Sequence, residues 1–186
     1  SVVRECLEEG ISPRCHLEDI TRADIYGYVV PFCQELMNLS RQYNIPVIIR
    51  ACDTMGYGVN YPGAVIPRSV QGIIYAIYTH AGVPHEWIEW HGHNDFYKAV
   101  TNSATAWLYG CCGVNTSLFG IGERTGNTPL EAMVFEYAQI KGTLNGMDTR
   151  VITELAEYYE KEIGYQIPPR TPFGGKSLNV TRAGMH

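Results

Sequence analysis

Residues 87–95 have the sequence Trp87-Ile88-Glu89-Trp90-His91-Gly92-His93-Asn94-Asp95. The aromatic and β-branched run at 87–91 is typical of a β-strand, and polar residues follow it directly. Because side chains two positions apart on a strand point to the same side, His91 and His93 can reach one ion. An imidazole pair suits a divalent transition metal, which can polarise a carbonyl as a Lewis acid. On spacing alone, a pair of structural or solvent-exposed histidines stays open as the alternative.

Short β-rich runs alternate with longer helical patterns along the rest of the chain. Further strands are predicted at residues 13–18, 46–52 and 113–118, and helices at 23–43, 67–81, 94–109, 129–141 and 148–163. This alternation favours βα units around a parallel sheet, which is an α/β fold. After Gly164 the chain becomes rich in Pro and Gly, which indicates a linker or an arm.

Polar residues follow the predicted strands at their carboxyl ends. They are Glu18 with Asp19, Asp53 with Thr54, His91 with His93, and Glu123 with Asn127. In (β/α)8 barrels catalytic groups collect at this edge, because the loops converge there. A whole barrel needs about 250 residues. We therefore predict the C-terminal part of a (β/α)8 TIM barrel at residues 1–163 and a Pro/Gly-rich C-terminal arm at residues 164–186.

A glycine-rich loop precedes the predicted helix at 129–141. Its sequence is Gly120-Ile121-Gly122-Glu123-Arg124-Thr125-Gly126-Asn127. Glycines let backbone N–H groups approach a ligand closely, and a helix N-terminus favours an anion such as a carboxylate or phosphate. A tight turn in which Glu123 and Arg124 pair in solvent explains the same residues equally well.

The composition excludes several classes of function. Of the 186 residues, 45% are hydrophobic and 18% are charged, and the formal net charge is −5, so a core is expected and nucleic-acid binding is not. No apolar run approaches the roughly 20 residues that cross a bilayer, and no signal peptide is recognisable. A cytoplasmic protein without membrane contact is expected. The six cysteines form no CxxC pair and are predicted to be reduced thiols.

Four motifs together resemble a known family. In order and separation, Leu17-Glu18-Asp19, Cys52-Asp53-Thr54-Met55-Gly56-Tyr57, the histidine stretch and the glycine-rich loop are similar to the barrel of 2-isopropylmalate synthase, homocitrate synthase, Re-citrate synthase and 3-hydroxy-3-methylglutaryl-CoA lyase. The resemblance implies an acyltransferase that condenses acetyl-CoA with a 2-oxo acid and then hydrolyses the thioester. Oxaloacetate, 2-oxoglutarate and 2-oxoisovalerate are the acceptors it implies, in citrate synthesis or amino-acid biosynthesis.

The same resemblance implies a metal centre and a substrate site. His91 and His93 would bind the catalytic divalent metal, and Asn127 would complete the metal side of the site. Mg²⁺, Mn²⁺ and Zn²⁺ are all compatible with two imidazoles and oxygen ligands. Thr54 would hold a carboxylate of the 2-oxo acid, and Glu123 would lie beside the substrate.

Acid/base chemistry is implied for two further residues. Glu18 resembles the family's acid/base or polarising glutamate. His186, at the end of Thr181-Arg182-Ala183-Gly184-Met185-His186, resembles the histidine of an arm that acts in the partner subunit's barrel, so a homodimer is expected. Arg50 is placed by the strand pattern itself: it could clamp a dicarboxylate bidentately, and a buried ion pair is the equally supported alternative.

Within the family, the glycine-rich loop favours a synthase, because the lyase branch usually carries a cysteine there and residues 120–127 contain none. The aromatic stretches at 95–98 and 107–112 resemble Re-citrate synthase-like sequences, which implies oxaloacetate as the acceptor. A lyase or aldolase on the same barrel, or a non-catalytic binding fragment, are the alternatives. The family's first-strand Asp-Arg-Glu motif does not precede Glu18, so the isolated chain is expected to be a fragment with poor activity.

Overall fold

The computed structural model describes residues 1–181, and within them four parallel strands form one sheet. They are β1 (Arg14–Leu17), β2 (Ile48–Asp53), β3 (Ile88–Gly92) and β4 (Gly113–Asn115), which lie side by side in chain order. The predicted α/β fold with a parallel sheet is therefore confirmed. β4 is shorter than predicted, and a 3₁₀ turn at Leu118–Gly120 follows it in the chain.

One face of the sheet is apolar and the other is polar, because side chains alternate along each strand. The apolar face carries Ile49, Ala51, Ile88 and Trp90, all fully buried in the hydrophobic core. Burial of each large apolar side chain contributes about 1.5–3 kcal/mol. The polar face carries its neighbours across the strands in this register: His16 with Arg50, Arg50 with Glu89, Cys52 with His91, and His91 with Asn115.

Six α-helices accompany the strands within residues 1–181. They are α1 (Val2–Glu8), α2 (Val30–Tyr43), α3 (Val70–Tyr75), α4 (Ala99–Leu108), α5 (Leu130–Lys141) and α6 (Val151–Tyr158). In α2, the buried residues Cys33, Leu36, Met37 and Ser40 recur at helical spacing and form its core-facing stripe. The helix ends at Asn44, which adopts the left-handed conformation common after a helix C-terminus.

Two helices begin later than predicted because local hydrogen bonds compete with the first turn. α3 does not begin at Pro67, since the hydroxyl of Ser69 accepts the N–H of Gly72 and caps the helix there. α4 does not begin at Asn94, whose side-chain oxygen accepts the N–H of Ala99 at 3.3 Å. The intervening residues instead form the loop that follows β3.

Wider π-type turns interrupt three segments that were predicted as continuous helices. They lie at Ile25–Val29, Ala76–His80 and Tyr159–Ile163. The predicted N-cap Asp148 of the last helix is wrong, because α6 begins at Val151 and the Asp148 carboxylate pairs with Arg150 at 2.7 Å.

The described chain forms two compact units. The first comprises residues 1–116 and 122–128 and contains the whole sheet. The second comprises residues 117–121 and the chain from residue 129 onward, with α5 and α6. The boundary between a barrel ending at residue 163 and an arm beginning at residue 164 stays a prediction.

Two expectations from composition concern the cysteines and the membrane. All six cysteines fall within the described residues and are free. Among residues 1–181, no helix has both the length and the apolar character that a bilayer crossing requires.

Candidate metal centre and substrate site

Two histidines meet on the polar face at the end of β3. The Nε2 atoms of His91 and His93 lie 3.0 Å apart, and the two rings are nearly perpendicular. The backbone N–H of His93 donates to the carbonyl of Asp53, which fixes the loop after β3 against the end of β2. The structure thus brings together the two residues that the sequence singled out as metal ligands.

Asn115 on β4 determines how His91 presents its ring. Its Oδ1 lies 2.7 Å from Nδ1 of His91. An amide oxygen can only accept a hydrogen bond, so Nδ1 carries the proton and Nε2 keeps its lone pair. Metal-binding histidines are oriented in this way by a partner on the second ring nitrogen. Asn115 was missed in the sequence, because only the register of β4 against β3 places it beside His91.

His93 offers the second nitrogen. Its side chain is buried, and within residues 1–181 its Nδ1 has no hydrogen-bond partner. Burial, followed by the nearby His91, lowers the pKa of His93 and keeps the ring neutral at pH 7. A neutral imidazole is the form that binds a metal. A buried nitrogen without a partner, next to a directed lone pair, fits a divalent cation with nitrogen ligands.

Asn127 and Glu123 lie in the glycine-rich loop of the first unit. The backbone of Asn127 bridges to that of His93, but its side-chain Nδ2 lies 3.4 Å from the carbonyl oxygen of Gly92. Its role as a metal ligand therefore stays a prediction. Glu123 is 83% exposed, with its carboxylate 3.7 Å from Arg124. Its role beside the substrate likewise stays a prediction.

Arg124 connects three loops at the carboxyl edge of the sheet. Its guanidinium donates to the carboxylate of Asp95 at 2.9 Å and to the backbone carbonyl of Thr54. The residue has a left-handed backbone conformation with φ 53°, which a non-glycine residue adopts only when its surroundings hold it there. The sequence pattern paired Arg124 with Glu123, whereas its shorter contacts are with Asp95.

Gly56 allows the loop after β2 to approach the loop after β3. Its φ is +68°, and an added Cβ would lie 3.0 Å from the carbonyl oxygen of His93. Any larger residue would therefore push apart the two loops that carry Thr54 and His93.

Glu18 and Thr54 form a hydrogen-bonded pair across β1 and β2. The Thr54 hydroxyl donates to Glu18 Oε2 at 2.6 Å and accepts the backbone N–H of Asp19 at 2.7 Å. The hydrogen bond from Thr54 is the main reason that the pKa of Glu18 lies below its ordinary value. Glu18 is therefore a carboxylate that can accept a proton near neutral pH.

Asp53 has a structural environment. It is buried, and its carboxylate accepts the hydroxyl of Thr21 and the N–H of Gly58, each at 2.8 Å. Burial raises the pKa of Asp53 against the effect of these hydrogen bonds. The side chain anchors the loops after β1 and β2 from the apolar side of the sheet.

His16, Glu18 and Cys52 form a second group of potential ligands, whose ligand atoms lie within 4.8 Å of one another. Burial raises the pKa of the Cys52 thiol to about 12, so the thiolate that binds metals is not populated at neutral pH. The guanidinium of Arg50 also lies 3.4 Å from His16. The histidine pair at 91 and 93 is therefore the better metal centre. His16 was interpreted from the sequence as structural or exposed, although its two-residue spacing from Glu18 already placed both on one face.

Arg50 forms the ion pair that the sequence left open as one of two alternatives. Its Nε and Nη2 atoms lie 2.8 Å and 2.7 Å from Glu89 Oε2, and Arg14 donates to the same carboxylate. A bidentate clamp from Nε and Nη2 is thereby occupied, and the predicted contact of Arg50 with a substrate stays a prediction. His186, the remaining predicted catalytic residue, lies outside the described residues.

Comparison with known sequences gives extensive matches. Residues 2–158 match the HMGL-like family model. The chain is 66% identical over 185 residues to a citrate (Re)-synthase of Clostridium kluyveri and 55% identical over 185 residues to one of Syntrophus aciditrophicus, covering 100% of this chain and 41% and 29% of those proteins. It is 35% identical to the 2-phosphinomethylmalate synthase of Streptomyces hygroscopicus, over 99% of this chain and 42% of that protein. The chain thus spans less than half the length of these relatives.

Solved structures resemble the chain at the level of fold. An HMG-CoA lyase from Acinetobacter baumannii superposes with a TM-score of 0.67 at 16% identity, over 98% of this chain and 58% of that chain. The carboxyl transferase domain of Rhizobium etli pyruvate carboxylase gives 0.60 at 19% identity, over 83% of this chain and 25% of that chain. These neighbours confirm the prediction that the chain corresponds to part of a barrel of the HMG-CoA lyase type.

Proposed function

The chain belongs to the HMGL-like family, and from this we propose that the protein condenses acetyl-CoA with oxaloacetate in a metal-dependent reaction and hydrolyses the product to citrate and free CoA. The observation that carries the proposal is the 66% identity to a citrate (Re)-synthase across the whole chain. In the reaction, the acetyl methyl carbon loses a proton and bonds to the ketone carbon of the acceptor, and water then cleaves the thioester. The protein would be an acyltransferase.

The metal centre of the proposal consists of His91 and His93, with Asn127 as a third candidate. When bound there, a divalent cation supplies Lewis-acid polarisation of the acceptor ketone. The chain contributes the orientation: Asn115 holds the ring of His91, and the bridge to Asn127 holds the backbone of His93. Nitrogen ligands suit Zn²⁺ and Mn²⁺, whereas oxygen ligands from carboxylates would favour Mg²⁺.

Glu18 is the proposed proton acceptor or polarising group for the acetyl-CoA half of the reaction. Its lowered pKa and its fixed position beside Thr54 support this role. Thr54 is the proposed ligand of the 2-oxo acid carboxylate, for which its hydroxyl would turn from Glu18 to the substrate. Glu123 and His186 complete the proposed set, as a substrate-binding residue and an acid/base residue.

Two broader expectations belong to the same proposal. A cytoplasmic location agrees with six free cysteines, because disulfides are rare in reducing compartments. A homodimer, in which an arm reaches the partner subunit's barrel, is the proposed assembly. Analytical ultracentrifugation of the full-length protein would check it.

The proposed function is tested by CoA release from the full-length protein, followed with a thiol reagent. Acetyl-CoA is supplied with oxaloacetate, 2-oxoglutarate, 2-oxoisovalerate or pyruvate, each with and without EDTA. We expect turnover with oxaloacetate that EDTA abolishes and added Mn²⁺ restores. Silence with all four acceptors in the presence of metal would contradict the proposal and favour a lyase or a binding module.

A further inference from the structure

The polar face of the sheet carries more positive than negative charge in the row that includes Arg50. Two guanidinium groups, those of Arg14 and Arg50, share the single carboxylate of Glu89. The side chains of Arg50 and Glu89 are only 17% and 15% exposed, whereas that of Arg14 is 48% exposed. A partly buried row with two cations and one anion favours the binding of a further anion.

The unused donor of this row is directed at His16. Arg50 Nη1 lies 3.4 Å from His16 Nε2, and within residues 1–181 it contacts no carboxylate. Burial and the charge of Arg50 lower the pKa of His16, so the ring adds no charge of its own at neutral pH. Its side chain is 45% exposed and therefore accessible to a ligand.

His16 and Arg50 lie one pleat below the proposed catalytic groups. His16 precedes Glu18 by two residues and Arg50 precedes Thr54 by four, and each pair lies on one face of its strand. Positions two residues apart on a strand are separated by about 7 Å. A short acceptor whose ketone lies at the catalytic level therefore directs its far end towards His16 and Arg50.

We propose that His16 and Arg50 are specificity-determining residues that bind the distal carboxylate of a four-carbon 2-oxo dicarboxylic acid. This inference rests on the proposed function and deepens it. Glu89 holds the guanidinium through Nε and Nη2, which leaves Nη1 and the imidazole to donate to the carboxylate. Charge-assisted hydrogen bonds of this kind discriminate strongly against an analogue that lacks the charged group.

The test compares oxaloacetate with 2-oxobutyrate, which has the same four carbons but a methyl group in place of the distal carboxylate. Steady-state rates of CoA release are measured for the full-length protein and for His16→Leu, Arg50→Met and the conservative variant His16→Gln. We expect kcat/KM for oxaloacetate to fall about 10- to 100-fold in the first two variants, mainly through KM, and to recover partly in His16→Gln. Values for 2-oxobutyrate should change less than about threefold, since no charged contact is lost.

Arg14→Met provides the matched control. Arg14 pairs with the same carboxylate but lies two residues before His16, further from the carboxyl edge. The expected loss with oxaloacetate is smaller than that of Arg50→Met. Equal losses for both acceptors in His16→Leu and Arg50→Met, or no loss for either, would overturn the inference.

A binding measurement separates this inference from the proposed function. If the unaltered protein releases no CoA with any acceptor, the proposed function fails, and calorimetric titration with malate and with 2-hydroxybutyrate still tests His16 and Arg50. Preferential binding of malate, weakened about tenfold or more in both variants, would support the carboxylate site. Equal affinity for the two probes would overturn it.

Discussion

The Nε2 atoms of His91 and His93 lie 3.0 Å apart at the end of β3, and Asn115 fixes the proton of His91 on the opposite ring nitrogen. Two neutral imidazoles this close gain only one hydrogen bond between them, and the buried Nδ1 of His93 has no partner among residues 1–181. An ion shared by the pair uses the lone pair of His91 and relieves this arrangement.

Alanine at position 91 or 93 is therefore expected to abolish tight binding of divalent metal. The loss should exceed about 100-fold in affinity, more than is typical when only an outer partner is removed. Equilibrium dialysis of the full-length protein with Mn²⁺ or Zn²⁺ measures it. His80→Ala, which removes an exposed histidine, is the control and should bind as the unaltered protein does. Retention of metal by both His91→Ala and His93→Ala would exclude this centre.

Asn115 is expected to tune the same site without touching the ion. Asn115→Leu removes the acceptor on His91 Nδ1 and should weaken metal binding by about 10- to 100-fold. Asn115→Asp keeps an acceptor oxygen and should lose much less. Dialysis and circular dichroism on both variants check this, because unchanged affinity in a folded Asn115→Leu protein would show that the orientation of His91 does not depend on Asn115.

Thr54→Val is expected to raise the pKa of Glu18. The hydrogen bond from Thr54 is the main cause of its lowered pKa, so its loss makes the carboxylate protonate at higher pH. If Glu18 must be ionised for turnover, the acidic limb of the kcat/KM profile with oxaloacetate moves upward in pH. Thr79→Val changes an exposed threonine and is the control. An acidic limb that stays in place would remove Glu18 from the titration.

Glu89→Gln tests the charged row beneath the site through stability. Burial alone would raise the pKa of Glu89, but hydrogen bonds from Arg14 and Arg50 outweigh it and lower the pKa. A lowered folded-state pKa stabilises the protein above the unfolded value of about 4.3, and this stabilisation is lost as pH falls through the folded value. We expect Glu89→Gln to lower the free energy of unfolding by about 3 kcal/mol at pH 7.

Urea denaturation at pH 7 and at pH 3.5 measures this difference. The curves of the two proteins should approach each other at the lower pH, where the carboxylate of the unaltered protein is being protonated. Glu86→Gln, at an exposed position, should change little at either pH. A difference that is constant with pH would mean that packing, and not charge, accounts for the effect of Glu89.

The strands and their polar ends were predictable because both follow local rules. Alternation of β-rich and helical segments predicts a parallel sheet, and parallel strands carry their polar groups to one edge. His91, His93, Glu18 and Thr54 were found in this way, and they lie on one face in the structure.

The partners of these residues could not be predicted, because they depend on register and on loop geometry. His16 contacts Arg50 34 positions away, and Asn115 contacts His91 24 positions away. Neither separation has a signature along the chain. Helix starts failed for a local reason, since a side chain such as that of Ser69 or Asn94 can bond the backbone and delay the first turn.

Citrate formation from labelled substrate tests the central claim most directly. The full-length protein is incubated with [¹³C₂]acetyl-CoA and oxaloacetate before metal removal, after it, and after Mn²⁺ is returned, and the products are analysed by mass spectrometry. We predict citrate that carries both labels, that disappears with the metal and that returns with Mn²⁺. Absence of labelled citrate in the metal-loaded protein, or an equal rate after complete removal of metal, would contradict the proposed metal-dependent condensation.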